Sequence, residues 1–292
     1  MKILAWDTSS KSGAIAAVEW DPTDGRGREG LRLVSEWCLN VEATHSERLL
    51  WAIHQVLESA RWTLDDVDYF GVGVGPGSFT GLRIGITTAR TLAHAKGKPL
   101  VPVSSLAALA RPVAAGFTVH RDEAVVVIAA TDAAKGELFS LYGNSKSIDG
   151  CVGRAQGDHA GYWKRGVEEE VLAPDELIRR VKKKLTGAGA KHRWVVVGEA
   201  RTRYPDLWKE LPATRRLDLG QVFPDQVQGR WVATLAWEGL QAGLAMDPLS
   251  VHPAYLRASD AEVKLRAGLL PVSPVEPMIS ESQTTTRAKN EG

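Results

Sequence analysis

The sequence predicts an α/β protein of two lobes, each with a mixed sheet and covering helices. Residues 71–97 give a buried strand, a glycine-rich loop and a long apolar helix in direct succession. Around this stretch the first 110 residues follow the order β-β-β-α-β-α-β-α, and a second sheet begins near residue 124. Because both halves open with paired strands before their helices, we predict lobes at 1–110 and 111–257, and a mostly disordered tail at 258–292.

Composition excludes several classes of protein. The chain has 292 residues, 44% of them hydrophobic, which is enough for two cores, and its net charge of +1 creates no general attraction for nucleic acid. The two cysteines, Cys38 and Cys151, fit neither a disulfide framework nor a metal site. Without a signal sequence or an apolar run of membrane-spanning length, the sequence predicts a cytoplasmic protein that does not cross a membrane.

The elements of the first lobe follow from hydrophobic spacing and from turn residues. Three strands open it, and a Gly/Asp/Pro-rich hairpin at 21–30 joins the second to the third. A capping box at Thr44–Glu47 starts the first helix, and Ser78 and Gly97 are expected to cap the two ends of the second. The predicted elements are strands at 2–7, 13–20, 31–39, 68–74 and 100–103 and helices at 44–60, 78–97 and 104–110.

The second lobe is predicted from the same signals. An apolar strand is followed by a turn and a second strand, after which residues 143–166 have no period and form an excursion. Pro174 then begins a helix that carries a run of basic residues. The predicted elements are strands at 124–130, 137–142 and 194–197, helices at 174–184, 201–209 and 227–244, and an extended piece at 253–257.

Six motifs carry a resemblance to a known family. They are Ile3–Ser9 (ILAWDTS), His45–Leu50 (HSERLL), Gly75–Gly85 (GPGSFTGLRIG), Val103–Ala108 (VSSLAA), Asp132–Glu137 (DAAKGE) and Pro253–Arg257 (PAYLR). In this order, over about residues 1–257, they resemble the TsaB (YeaZ) family, and GPGSFTGLRIG is the most specific of them.

The resemblance implies an actin-like, RNase H-like two-lobed ATPase fold. It also implies a function as the non-catalytic partner of TsaD, which makes threonylcarbamoyladenosine on transfer RNA. A small ATPase, TsaE, joins that assembly, TsaB alone is often a homodimer, and contact with transfer RNA is expected to be indirect.

Two departures from the similar TsaD predict that metal and tight nucleotide binding are absent. Ser105 and Leu109 stand where TsaD has two metal-binding histidines four residues apart, and neither side chain can replace an imidazole. Thr131–Lys135 replaces a Ser-Gly-Gly-His turn, so the backbone cannot come as close to a phosphate. We therefore expect no catalytic residues and no tightly bound cofactor, and a nucleotide only at the partner interface.

A vestigial nucleotide site is one interpretation of the first strand end and the glycine loop. Asp7, Thr8 and Ser9 could hold a magnesium phosphate, and Gly75 and Gly77 could cradle one at a helix N-terminus. The alternative is an Asx-capped turn at the strand end and a tight strand-to-helix turn. We favour this alternative, since the loop has no complete phosphate-binding motif.

The partner surface is predicted on the two helices at 44–60 and 78–97. Gly81, Gly85, Ala89 and Ala93 recur every four residues, and such a row lets another helix approach closely. Trp51 lies about half a turn from the apolar stripe of its own helix and is expected to face outward. The predicted interface residues are His45, Leu49, Trp51, Gly81, Gly85, Ala89 and Ala93.

The alternatives are an M22-type peptidase, a weak ATPase and a homodimeric structural module. Neither G-x-S-x-G nor H-E-x-x-H occurs, and Ser78 has no base evident from the sequence. His45 and Glu47 could form an acid/base pair, but the capping box already gives Glu47 a backbone partner. The basic run at 179–184, extended by 191–193, could contact transfer RNA phosphates, although a solvated helix end is favoured.

Overall fold

The computed structural model describes residues 1–21, 23, 25, 30–40, 45–119, 125–150, 167–186, 192–217 and 225–256. At 39–40, 45–47 and 118–119 it describes the backbone alone. Thr44, the part of the predicted excursion at 151–166, Lys191 and the predicted tail at 258–292 lie outside the described residues. The described residues all belong to one compact unit, Met1–Leu256.

The first sheet contains the five strands predicted for the first lobe. Its strand order is β3-β2-β1-β4-β5, with β1–β2 and β2–β3 antiparallel and β4 and β5 parallel to β1. Its strands are β1 (Lys2–Asp7), β2 (Ser12–Trp20), β3 (Leu31–Asn40), β4 (Tyr69–Gly73) and β5 (Leu100–Val103). Both faces of β1 are buried, because Ile3 and Ala5 enter one apolar core while Leu4 and Trp6 enter another.

The second sheet repeats this topology with one strand fewer. Its order is β8-β7-β6-β9, in which β6, β7 and β8 form an antiparallel meander and β9 lies parallel to β6. Its strands are β6 (Val125–Asp132), β7 (Leu138–Asn144), β8 (Glu168–Leu172) and β9 (Arg193–Val197). Two mixed sheets with related strand orders confirm the predicted fold class.

Strand β8 was not predicted from the sequence. Its sequence, Glu168-Glu-Glu-Val-Leu172, has three successive carboxylates, which are depleted in strands. An edge strand tolerates them because the side chains reach solvent and cationic partners: Glu170 binds Arg180 and Glu168 binds Lys184.

Helices cover the sheets in layers. In the described residues they are α1 (His45–Ala60), α2 (Phe79–Lys96), α3 (Ser105–Val119), α4 (Ser145–Asp149), α5 (Pro174–Thr186), α6 (Ala200–Arg203) and α7 (Gly229–Gln241). Helices α1 and α2 pack on the outer face of the first sheet, and α5 and α6 pack on the outer face of the second. Helices α3 and α7 lie between the sheets, where residues from both lobes form one continuous core.

The predicted caps of α2 are confirmed. The Ser78 hydroxyl accepts a hydrogen bond from the Gly81 amide at 3.2 Å, and Gly97 ends the helix in the left-handed region with φ 61°. Since Ser78 fixes where α2 begins, it also fixes which residues of this helix face the end of β1.

Three helix boundaries differ from the prediction. Helix α3 continues through Pro112 to Val119 instead of ending at Ala110, because Val113 and Ala114 are buried in the central core and hold the second half of the helix in place. The helix predicted at 201–209 is divided into α6 and a 3₁₀ turn at Leu207–Glu210. The last helix, α7, is shorter than the predicted range at both ends.

A buried ion-pair cluster joins three helices in the central layer. Arg111 of α3 is only 1% exposed; its Nε lies 3.0 Å from Asp149 of α4, and its guanidinium also binds Glu238 of α7. No local sequence pattern indicates this cluster, since its members are far apart in the chain.

Candidate functional site

A cleft of about 460 Å³ opens between the ends of the two sheets. One wall is built from the turn after β1 (residues 9–12) and from the loop before α2 (residues 76–78). The other wall is built from the end of β6 (Thr131 and Asp132) and from the segments at 199–203 and 225–227. Of the five predicted nucleotide-site residues, Ser9 and Gly77 line this cleft.

Asp7 is buried under the first wall of this cleft. Its Oδ1 accepts hydrogen bonds from the backbone amide and hydroxyl of Ser9, at 2.8 and 2.6 Å, and its Oδ2 accepts one from the Ser105 hydroxyl at 2.5 Å. The bond from the amide two residues further on is the geometry of an Asx turn. Both carboxylate oxygens are thus engaged within the chain, which favours the structural interpretation of Asp7 over a magnesium-phosphate ligand.

The glycine loop packs against the same turn. A Cβ added at Gly77 would lie 2.3 Å from the Ser9 carbonyl oxygen, and the Ser78 amide donates a 2.6 Å hydrogen bond to that oxygen. Gly75 has φ 104°, and its amide donates to the Ser105 hydroxyl at 3.2 Å. Gly77 thus permits a close approach to the chain's own backbone, whereas a Cβ added at Gly75 would lie 2.8 Å from the Leu82 side chain.

The small residues of α2 face the end of β1. The Thr8 hydroxyl donates to the Gly81 carbonyl at 2.7 Å, and the Trp6 indole donates to the Gly85 carbonyl at 3.0 Å. A Cβ on Gly81 would lie 2.1 Å from the Thr8 carbonyl oxygen, and one on Gly85 would lie 2.1 Å from the Thr8 hydroxyl. The predicted close contact exists, but it is made with a strand end of the same chain.

This packing corrects the predicted partner surface. Ala89 and Ala93 are fully buried in the core beneath the first sheet, so neither is available to a partner. Leu49 of α1 is buried in that core as well. Together with Gly81 and Gly85, these positions are packed inside the subunit.

 The row Gly81, Gly85, Ala89 and Ala93 is therefore explained by contacts within the chain, and its small size requires no partner helix.

The solvent-exposed side of α1 carries apolar side chains. Trp51 is 50% exposed, as predicted, and the preceding Leu50 is 58% exposed. The Trp51 ring also meets Trp37 of strand β3 edge to face, with ring centroids 4.7 Å apart. We call Trp37, Leu50 and Trp51 the α1 patch. The side chain of His45, which was predicted on this surface, lies outside the described residues.

Trp37 and Leu50 were missed by the sequence analysis. Leu50 lies next to the buried Leu49 and outside the row that faces the sheet, so its exposure could have been predicted from the same spacing that placed Trp51. Trp37 could not, because its contact with Trp51 depends on how α1 crosses the edge of the first sheet.

Two of the six motifs meet beside the cleft. The Phe79 ring stacks on Tyr255 with centroids 5.1 Å apart, and the Arg83 guanidinium lies 3.8 Å from the centre of the Phe79 ring. The Arg83 Nε also donates to the Tyr255 hydroxyl at 3.2 Å. The extended segment that contains Tyr255 is thereby held against the start of α2.

The second wall of the cleft is a network of paired charges. Asp132 accepts hydrogen bonds from the Tyr204 hydroxyl at 3.0 Å and the Ala134 amide at 3.1 Å, and it pairs with Arg203 at 2.7 Å. Desolvation and the bond to Asp132 raise the pKa of Tyr204, which keeps its hydroxyl a donor. Asp225 binds the Arg201 guanidinium through both carboxylate oxygens.

The two positions compared with metal-binding histidines lie at the first wall. The Ser105 hydroxyl donates a hydrogen bond to Asp7, and Leu109 places an apolar side chain in the lining of the cleft. Within the described residues, no group of three or more His, Cys, Asp and Glu side chains is arranged to hold a metal ion. The same residues include no helix that is long and apolar enough to cross a membrane.

Asp7→Ala is expected to lower the free energy of unfolding by about 1–3 kcal/mol, because it leaves buried donors on Ser9 and Ser105 without their acceptor. Urea denaturation followed by circular dichroism measures the change. Unchanged stability together with a loss of MgATP binding in calorimetry would instead make Asp7 a nucleotide ligand.

Comparisons with known proteins connect this geometry to a family. A family model described as "TsaD: tRNA N6-adenosine threonylcarbamoyltransferase" matches residues 40–265. The protein named "tRNA threonylcarbamoyladenosine biosynthesis protein TsaB" from Escherichia coli is 30% identical over 265 residues, which cover 91% of this chain and 98% of that protein. This chain belongs to the TsaB (YeaZ) family.

Two further proteins are similar to this chain over shorter spans. The Haemophilus influenzae TsaB is 30% identical over 181 residues, covering 62% of this chain and 68% of that protein. A crystal structure described as an uncharacterized protein with similarity to peptidase YEAZ from Pseudomonas aeruginosa is 26% identical, with a TM-score of 0.63. It covers 88% of this chain and 99% of the other, so the family and the two-lobed fold extend over nearly all of the matched protein.

Proposed function

We propose that this protein supports formation of N6-threonylcarbamoyladenosine on transfer RNA as the non-catalytic partner of a TsaD-like enzyme. The observation that carries the proposal is the similarity to the Escherichia coli TsaB, because it spans nearly the whole of both chains. The match to the TsaD family model supports a shared ancestry with the proposed partner. A TsaE-like ATPase completes the proposed assembly.

The non-catalytic part of the proposal is supported by the cleft. Asp7 has both oxygens engaged by Ser9 and Ser105, Gly77 packs on the Ser9 backbone, and Gly75 packs on the Leu82 side chain. On the opposite wall, Asp132 and Asp225 are paired with arginines. Because these three carboxylates are already engaged, they are not free to hold a metal ion or the magnesium of a nucleotide. We therefore propose that any nucleotide is held at the interface with the partner.

The α1 patch is the surface proposed for the partner. Exposed tryptophan and leucine side chains side by side are the kind of apolar anchor that protein interfaces bury. In the absence of the partner, the α1 patches of two copies can cover each other, and we propose a homodimer for the protein alone. Contact with transfer RNA is then made mainly by the catalytic partner.

Trp51→Ala is expected to weaken binding to a TsaD-like partner by at least about tenfold, since large aromatic anchors commonly contribute about 2 kcal/mol or more to an interface. The free energy of unfolding of the isolated protein should fall by less than about 1 kcal/mol, because the side chain is half exposed. Co-purification and calorimetry with the partner, beside light scattering of the protein alone, measure the two effects.

Leu249→Ala is the control for this experiment. Leu249 is 47% exposed, nearly as much as Trp51, but it lies on the 3₁₀ turn Pro248–Ser250 and outside the α1 patch. Equal loss of binding in both variants, or unchanged binding in Trp51→Ala, would exclude the patch as the interface. Failure of the wild-type protein to bind TsaD and to support threonylcarbamoyladenosine formation would exclude the proposed function itself.

A further inference from the structure

A basic hollow lies on the second lobe, on the side of the second sheet that α5 covers. Its volume is about 500 Å³, and its lining residues come from β7, β8 and α5. They are Tyr142, Glu168, Arg179, Arg180, Lys183 and Lys184. Four cations and one carboxylate therefore face this space, in a chain whose overall net charge is only +1.

Carboxylates outside the lining hold the two arginines in place. The Arg180 Nη1 lies 2.6 and 2.7 Å from the two carboxylate oxygens of Glu170, and its Nε binds Glu176 at 2.6 Å. Arg179 makes two further bonds to Glu176, each of 2.7 Å. Neither glutamate lines the hollow, so the guanidinium groups are oriented by partners outside the lining while they remain part of it.

The two lysines complete the lining from the next turn of α5. Lys184 pairs with Glu168 at 3.3 Å, and its ammonium lies 5.4 Å from the centre of the Tyr142 ring. Lys183 is exposed. It extends the positive surface toward solvent, where an incoming anion would first meet it.

The position of the arginines argues against a helix end that is merely solvated. Cations that complement the helix dipole belong in the last turn, which explains Lys183 and Lys184 of a helix that ends at Thr186. Arg179 and Arg180 lie in the middle of α5, where the dipole gives them no such advantage. They share two features, an ion pair with Glu176 of the same helix and a place in the lining of the hollow.

We propose that this hollow binds phosphate groups of an RNA backbone. The inference rests on the proposed function, in which the substrate of the assembly is a transfer RNA. Guanidinium groups held in fixed orientation can donate hydrogen bonds to the oxygens of a phosphate. Adjacent lysines add positive charge and accept a wider range of binding geometries. Through this site the protein contacts the RNA directly while its partner performs the chemistry.

The test is binding of a fluorescently labelled transfer RNA transcript to the full-length protein, followed by anisotropy between about 0.05 and 0.2 M salt. The test variant is Arg179→Gln with Lys183→Gln, two exposed positions whose change should leave the fold intact by circular dichroism. Loss of two phosphate contacts should reduce the slope of log K against log salt by about 1.4–1.8 and the affinity at about 0.1 M salt by at least about tenfold.

The control variant is Arg32→Gln with Lys209→Gln, which removes the same two charges elsewhere. The Arg32 side chain is 67% exposed and that of Arg179 is 70% exposed, so the two variants are matched in charge and exposure. An equal loss of RNA binding in the control, or no loss in the test variant, overturns the proposal. A third outcome also overturns the proposal: the test variant binds RNA as the wild type does but no longer binds a polyglutamate peptide. That result would assign the hollow to an acidic protein segment.

A reconstituted reaction with TsaD-like and TsaE-like proteins separates this inference from the proposed function. If the wild-type protein supports threonylcarbamoyladenosine formation but does not bind RNA, the hollow is excluded and the proposed function stands. If it binds RNA through the hollow but does not support the reaction, the proposed function fails and the RNA site stands.

Discussion

Gly81→Ala is expected to lower the free energy of unfolding by about 3 kcal/mol, the upper end of the usual cost of overpacking, although alanine is the better helix former. The added Cβ would lie 2.1 Å from the carbonyl oxygen of Thr8, which is backbone and cannot rotate away. Relief of the clash requires that α2 move away from the end of β1. That movement also breaks the 2.7 Å hydrogen bond from the Thr8 hydroxyl to the Gly81 carbonyl.

Gly116→Ala is the matched control, with an expected effect of opposite sign. Gly116 also lies in a helix, α3, but a Cβ added there would meet nothing within 4 Å. This substitution should therefore raise the free energy of unfolding by about 0.5–1 kcal/mol through helix propensity alone. Urea denaturation of both variants measures the contrast, and a stabilised Gly81→Ala protein would show that α2 does not pack on Thr8 as described.

The row to which Gly81 belongs shows what the sequence could and could not predict. Small residues every four positions correctly indicated a close approach of backbone to α2. The spacing does not identify which backbone approaches, because Thr8 is 73 residues away from Gly81 in the chain. The row was therefore predicted to face a partner helix, although it is buried within the chain, while the outward position predicted for Trp51 is confirmed by its 50% exposure.

The elements themselves were predictable wherever local signals agreed. The strands of the first sheet are apolar runs between turn residues, and the cap residues Ser78 and Gly97 fix the ends of α2. Strand β8 was not predictable, since its glutamates are stabilised by pairing with an arginine and a lysine of α5. A shared site at the first strand end and the glycine loop was one interpretation of the sequence, but the internal pairing that occupies Asp7 is visible only in the structure.

Arg111→Met is expected to lower the free energy of unfolding by about 3–5 kcal/mol, the usual consequence of removing one member of a buried ion pair. The side chain of Arg111 is 1% exposed, and its partners Asp149 and Glu238 are 10% and 12% exposed. Methionine fills much of the same volume, so the loss comes mainly from two carboxylates left in the core without their shared cation.

A triple variant tests whether the unpaired buried carboxylates cause this loss of stability. Adding Asp149→Asn and Glu238→Gln to Arg111→Met removes both carboxylates and should restore at least about 2 kcal/mol, because neutral amides are less costly to bury than unpaired charges. Urea denaturation of the single and triple variants gives the two free energies. Recovery of stability would show that α3, α4 and α7 are joined by charge compensation. A triple variant as unstable as the single one would show instead that the central layer requires the shape of the arginine side chain, which packs where both lobes meet.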